Sequence, residues 1–311
     1  MQIKKVAIIG LGALGIMYAE HFSKYIPADA LRIVADRDRI KRYQDEGLYC
    51  NGERCDFTFV TPDQQMEPAD LVLITVKYNG LFQALTAIAN QVGQDTIIMS
   101  AINGIKSEQD ISRIYGKDNV LYCVAQGMDA VKEGNALTFA NKGVLCFGEE
   151  RMDQLTEKVK SVATFFDQVN LPYEIDFNMK KRQWGKFMLN VGVNQVVAVY
   201  QTNYGGIQVE GEARDTMIAA MREVIALSQY TEAPLNEADL SYWLNNLASL
   251  HPEGKPSMRQ DVEAKRYGEV DLFSGMVIEL GKQYRVNTPV NKRLYQQIKA
   301  IERQYSQAIE I

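Results

Sequence analysis

The sequence predicts an α/β chain in two parts. Residues 1–175 read as an N-terminal domain built on a parallel sheet, and residues 176–311 as an all-helical C-terminal domain. Three observations carry this. Short β-branched runs alternate with helical stretches through the first half, as a parallel sheet with crossover helices requires. From Met179 onward apolar residues recur at three- and four-residue steps instead. A chain of 311 residues that is 46% hydrophobic also exceeds the usual size of one core.

Taken in order, Val6 to Ile9, Leu31 to Ala35, Leu71 to Val76 and Ile97 to Ala101 each read as a strand of that sheet. Helical patterns begin at Ile16, run from Arg39 to Glu46, and run from Leu81 to Gln91. The runs near Leu121, Ala136 and Val144 read as extensions of the same sheet. A helix from Gln154 to Val169 and a short strand from Tyr173 to Ile175 close the domain. Helices then continue through Trp184 to Tyr200, Thr216 to Ser228 and Leu272 to Tyr284. A helical domain packed on the first would form a cleft.

Composition excludes several function classes. The net charge is −5, from 34 basic and 39 acidic side chains with no basic run, so nucleic acid is not an expected partner. No stretch approaches the roughly 18 apolar residues that span a bilayer, and the glycine spacing in the apolar N-terminal run argues against a signal peptide. The four cysteines, at 50, 55, 123 and 146, form no CxxC pair and no metal-ligand spacing. A metal-free chain with reduced thiols in the cytoplasm is the expectation, and a homodimer is left open.

Gly10-Leu11-Gly12-Ala13-Leu14-Gly15 matches GxGxxG. Alone the pattern is weak, and a glycine turn that binds nothing would satisfy it. Here an apolar strand precedes it, a helix comes after it, and the next strand ends at Asp36, 21 residues after Gly15. That context is of the Rossmann type, with Gly10 for the tight turn, Gly12 for approach of the pyrophosphate, and Gly15 for close helix packing. The helix N-terminus supplies free N–H groups for the phosphates. The second strand ends Ala35-Asp36-Arg37-Asp38-Arg39. Asp36 would bond a free ribose 2'-hydroxyl, as in NAD, whereas Arg37 would clamp the 2'-phosphate of NADP; both arginines would equally suit a solvated helix start.

Reduction of a carbonyl needs a proton donor. Only His21 and His251 are available as histidines; His21 falls in the helix after the glycine loop and His251 beside Pro252 in a turn, so another residue type is expected. Lys186, Asn190 and Asn194 stand at i, i+4 and i+8, which puts them within about 80° of arc on one helical face. Apolar residues border the stripe, and a lysine ammonium offers both a proton and positive charge. A solvated surface lysine is the plainer reading of the same pattern. A second cluster, Pro256-Ser257-Met258-Arg259-Gln260-Asp261 and then Gly268-Glu269-Val270-Asp271, reads equally as a capping box from Ser257 to Gln260 and an ordinary first-turn acid at Glu269.

In their order and spacing these pieces resemble the ketopantoate reductase (2-dehydropantoate 2-reductase) family over nearly the whole chain. They are the glycine loop, Thr75-Val76-Lys77, Asn103-Gly104, the Lys186, Asn190, Asn194 stripe, PSMRQD, and Glu269-Val270-Asp271. The resemblance implies an NADPH-dependent reduction of a 2-keto acid, ketopantoate to pantoate in pantothenate biosynthesis. It makes Lys186 the general acid, gives Glu269 the orienting of substrate and lysine, has Asn190, Asn194 and Ser257 hold the keto acid, and sets Asp261 behind them. Lys77 and Asn103 would face the cofactor, and Arg37 would take the 2'-phosphate. Two positions depart from the pattern: Asp36 before that arginine, which keeps NAD open, and Gln195, where many members carry proline. Rival readings are a D-2-hydroxyacid dehydrogenase acting on another keto acid and a dinucleotide-binding sensor without turnover.

Overall fold

Strands with apolar residues at every position belong in a sheet covered on both faces. In the computed structural model, which describes residues 2–307, the chain divides into two compact units, Met1–Met179 and Lys180–Ile311. The strands of the first unit are β1 (Val6–Ile9), β2 (Leu31–Val34), β3 (Tyr49–Cys50), β4 (Glu53–Arg54), β5 (Phe59–Val60), β6 (Leu71–Ile74), β7 (Ile97–Ser100), β8 (Val120–Gln126), β9 (Val131–Glu133), β10 (Ala136–Thr138), β11 (Val144–Gly148) and β12 (Tyr173–Ile175). Its helices are α1 (Ala13–Ser23), α2 (Arg37–Glu46), α3 (Leu81–Ala87), α4 (Ser107–Tyr115) and α5 (Glu157–Gln168).

Eight strands form the main sheet in the order β12-β11-β8-β7-β6-β1-β2-β5. All neighbours are parallel except β11 against β8. Side-chain alternation divides β1 between two cores. Val6 and Ile8 join Ile16 and Phe22 of α1 and Phe165 of α5, while Ala7 and Ile9 join Leu81 and Leu85 of α3 and Ile111 of α4. Each of the larger of these buried side chains contributes roughly 1.5–3 kcal/mol relative to exposure, which holds the helices to both faces.

Two sequence expectations are corrected here. The run at Ala136 leaves the main sheet: β9 and β10 form a hairpin through Gly134 (φ +55°), and β10 pairs with β3 in a separate sheet of order β4-β3-β10-β9. Helix α1 begins at Ala13 rather than Ile16, because the carbonyl of Gly12 already accepts the Ile16 N–H at 3.1 Å. The chain between β12 and α6 packs with the first unit. Asp176 N–H donates to Phe147 O at 3.0 Å and Phe177 O accepts from Met152 N–H at 2.9 Å, so these residues stay tied to the sheet.

In the second unit the described residues from 180 onward form no strand. The helices are α6 (Met179–Val199), α7 (Gly205–Gln208), α8 (Glu212–Ser228), α9 (Glu237–Ala248), α10 (Ser257–Glu263), α11 (Met276–Tyr284) and α12 (Pro289–Gln307). The expected helix from Leu272 begins instead as a π-helical turn, Asp271–Gly275, leading into α11. Helix α6 is gripped closely, since a Cβ at Gly185 would lie 2.2 Å from Trp243 Nε1 of α9 and one at Gly192 would lie 2.6 Å from Met221 Cγ of α8. Among the described residues no helix is long and apolar enough to cross a membrane.

Candidate active site

The glycine loop turns from β1 into α1 at the carboxyl edge of the parallel strands. Gly10 sits at φ +100°, a region that favours glycine, and a Cβ there would lie 2.6 Å from Val76 Cγ1. At Gly15 a Cβ would lie 1.8 Å from the Gly10 carbonyl oxygen. Gly12 is different: a Cβ would meet only Thr75 O, at 3.8 Å, so packing does not demand glycine there. Thr75, which sequence reasoning did not single out by itself, fixes the loop by donating its one hydroxyl proton to Gly10 O at 2.6 Å, with Ile9 O also within reach at 3.1 Å. Leu11 is buried beneath the loop, with Ala13 and Leu14 half-buried in the first turn. Lys77 comes after β6 and is exposed; Asn103 comes after β7 and is half-buried. The order β7-β6-β1-β2 thus brings Asn103, Lys77, the glycine loop and Arg37 to one edge of the sheet.

The acid–arginine pair after β2 has a local structural task. Asp36 caps α2, its Oδ1 accepting the Arg39 N–H at 2.8 Å, and its other oxygen pairs with the Arg39 guanidinium at 3.4 Å. Arg37 is exposed and donates from Nη2 to Asp63 Oδ2 at 2.8 Å. No local pattern in the sequence linked Asp63 to Arg37, because the contact runs between neighbouring strands.

In the second unit α6 carries Lys186 and Asn190, both half-buried, and Asn194, which is buried, along one face. Asn194 Nδ2 donates to Asn190 Oδ1 at 3.3 Å. Asn194 Oδ1 accepts from Ser257 Oγ at 3.1 Å and from the Met258 N–H at 3.2 Å. The capping box expected from Ser257 to Gln260 does not form. Pro256 holds the N-cap position, Ser257 is the first helical residue, and Asn194 satisfies the helix start from outside. Gln260 instead donates to Lys255 O at 3.0 Å. Asp261 is buried and pairs with Arg266 at 3.0 Å. Glu269, half-buried, is not in the first turn of an α-helix: its carbonyl accepts from Leu272 and Phe273 as the π-helical turn begins.

Both histidines have other surroundings. His21 is buried, with Nε2 2.7 Å from Val169 O and Nδ1 2.7 Å from Lys142 Nζ, while His251 is exposed and accepts from the Glu253 N–H. Among the described residues no group of three or more His, Cys, Asp or Glu side chains is placed to hold a metal ion.

The family model described as ketopantoate reductase PanE/ApbA matches residues 6–151, and that for the ketopantoate reductase PanE/ApbA C terminal matches residues 178–302. The chain belongs to the ketopantoate reductase family. Members of this family are oxidoreductases acting on CH–OH groups with a nicotinamide dinucleotide, and this chain is an oxidoreductase of that family. It is 26% identical over 306 residues to a 2-dehydropantoate 2-reductase of Aquifex aeolicus, covering 97% of this chain and 98% of that protein. Its fold is similar to that of a PanE/ApbA family ketopantoate reductase from Ralstonia eutropha (TM-score 0.81, 21% identity, 97% and 99% of the two chains). It is also similar to D-mandelate dehydrogenase in complex with NADH (TM-score 0.84, 20% identity, 97% and 99%).

For a member of this family the loop geometry bears directly on the fit to a dinucleotide. A Cβ at Gly12 would meet only Thr75 O, at 3.8 Å, and the helix start beside it has no side-chain cap, an arrangement that would suit a pyrophosphate approaching backbone N–H groups.

Proposed function

We propose that this chain reduces a small 2-keto acid to the 2-hydroxy acid, with 2-dehydropantoate as substrate, pantoate as product and NADPH as the favoured cofactor. The observation that supports it most is the polar stripe on α6. Asn194 joins Asn190, Ser257 and the start of α10 on the face that also bears Lys186, so neutral donors and one cation are assembled on a helix with apolar surroundings.

The proposed roles are set by charge. A dinucleotide held there would supply hydride to C2 of the keto acid. Negative charge then develops on the carbonyl oxygen, where the Lys186 ammonium stabilises it and delivers one proton, leaving a neutral amine that solvent reprotonates. Glu269 orients the lysine and substrate, and Asn190, Asn194 and Ser257 hold the acid. Gly10 to Gly15, Lys77 and Asn103 hold the dinucleotide, with Arg37 on its 2'-phosphate.

A second reading, a D-2-hydroxyacid dehydrogenase on another keto acid, is favoured by the likeness to D-mandelate dehydrogenase, whose ternary structure holds NADH and anilino(oxo)acetate. Steady-state kinetics with ketopantoate against branched and aromatic keto acids, each with NADPH and NADH, separates the two. Ketopantoate with NADPH is expected to give the highest kcat/KM. Lys186→Ala is expected to lower kcat by about 10²–10⁴-fold with dinucleotide affinity retained. Turnover within threefold of the unsubstituted chain would make Lys186 a surface lysine.

A further inference from the structure

Arg37 is held by an acid from the neighbouring strand. Strand β5 lies beside β2 in parallel register, Ile33 opposite Phe59 and Val34 opposite Val60, so the two strands end together. Beyond the end of β2 the chain continues through Asp36-Arg37, and beyond the end of β5 through Thr61-Pro62-Asp63. The second of these segments is well fixed. Gln64 N–H bonds Thr61 O at 3.1 Å, and Asn90 Nδ2 bonds Pro62 O at 2.8 Å. It therefore delivers the Asp63 carboxylate to the Arg37 guanidinium at 2.8 Å. The Thr61 hydroxyl, the residue's own backbone amide and Arg37 hold that carboxyl below the usual carboxylate range, so it is ionised at neutral pH.

We propose that Asp63 is a specificity-determining residue for the dinucleotide: it occupies Arg37 and sets a second carboxylate, besides Asp36, at the strand ends that read the ribose 2' substituent, which weakens preference for a 2'-phosphate. In a doubly wound α/β domain an acid after the second strand favours the free 2'-hydroxyl and a nearby arginine accepts the phosphate. Asp36 has one oxygen committed to the Arg39 N–H and the other beside the Arg39 guanidinium, which dilutes its influence. Asp63 has no such helix to cap. It lowers the net positive charge that a 2'-phosphate of about −2 would meet, while a 2'-hydroxyl can donate to a carboxylate. The inference rests on the proposed reading of the first unit as the dinucleotide-binding one.

The test is Asp63→Asn, which keeps shape and removes charge at a site 65% exposed. NADPH and NADH dissociation constants are measured by equilibrium fluorescence titration on the full chain, without substrate. The ratio of the NADH to the NADPH constant is expected to rise about three- to tenfold, the size of a screened interaction between exposed charges with one partner doubly charged. A change in that ratio below threefold, with both dinucleotides bound, overturns the role of Asp63 and leaves the dinucleotide reading standing. Binding of neither dinucleotide to the unsubstituted chain overturns the reading itself and the inference with it.

Discussion

The three glycines of one loop show how unequal identical residues are. Gly10 answers to a left-handed backbone and to Val76, Gly15 to the carbonyl of Gly10, and Gly12 to no protein atom closer than 3.8 Å. Substitution should therefore separate folding from binding. Gly15→Ala forces a backbone overlap and is expected to destabilise the fold by about 1–3 kcal/mol or more, the range for overpacking. Gly12→Val is expected to keep the urea unfolding midpoint near that of the unsubstituted chain and to abolish NADPH fluorescence enhancement. Unaltered NADPH affinity in Gly12→Val would show that the loop holds no pyrophosphate. The motif's spacing was legible in the sequence; which glycine is free for a ligand depended on where Thr75 and Val76, just past β6, lie.

At the scale of elements, α6 and α10 are joined through one carboxamide. Helix α10 starts with proline and a serine whose hydroxyl points away from its own backbone, so the helix end is satisfied by Asn194. The stripe on α6 was legible from its four-residue period, yet its partner was not, since Ser257 lies 63 residues further on and its own neighbours suggested a capping box. Removing the carboxamide leaves the buried Met258 N–H without its acceptor, at a cost of about 1–3 kcal/mol. Asn194→Ala is expected to lower the unfolding free energy by that amount in urea titration. It should also raise KM for the keto acid more than it lowers kcat. A variant with unchanged stability would mean that water replaces the carboxamide and that α10 starts without its help. A similar long-range network surrounds Gln195: its Nε2 donates to Val191 O at 2.6 Å and Asn291 Oδ1 at 3.4 Å, and Asn291 also accepts from Ser274 Oγ at 3.0 Å. Gln195 thereby ties α6 to α12 and to the π-helical turn.

At the scale of the whole molecule, His21 gives the fold a pH dependence of known sign. Burial, then the Lys142 ammonium, lowers its pKa below the ordinary 6.5. The folded state accordingly binds a proton less readily than the unfolded one. Its contribution is complete above about pH 6.5 and is lost as pH falls from there toward the lower folded value. Urea midpoints are expected to fall more between pH 7.5 and pH 5.5 for the unsubstituted chain than for His21→Gln; equal falls would assign the dependence to other groups. The same histidine illustrates what a sequence can and cannot decide. Local and periodic information was sufficient for the α/β class, the parallel strands, the glycine turn and the lysine–asparagine face, because each depends on backbone geometry that repeats every two or 3.6 residues. Contacts between segments distant in sequence were decided only by the tertiary structure. The hairpin at Ala136 left the main sheet, Asp63 met Arg37 across two parallel strands, and Asn194 capped a helix that its own serine did not. The reason is physical: such pairings arise from strand order and helix packing, which no short stretch of residues encodes by itself.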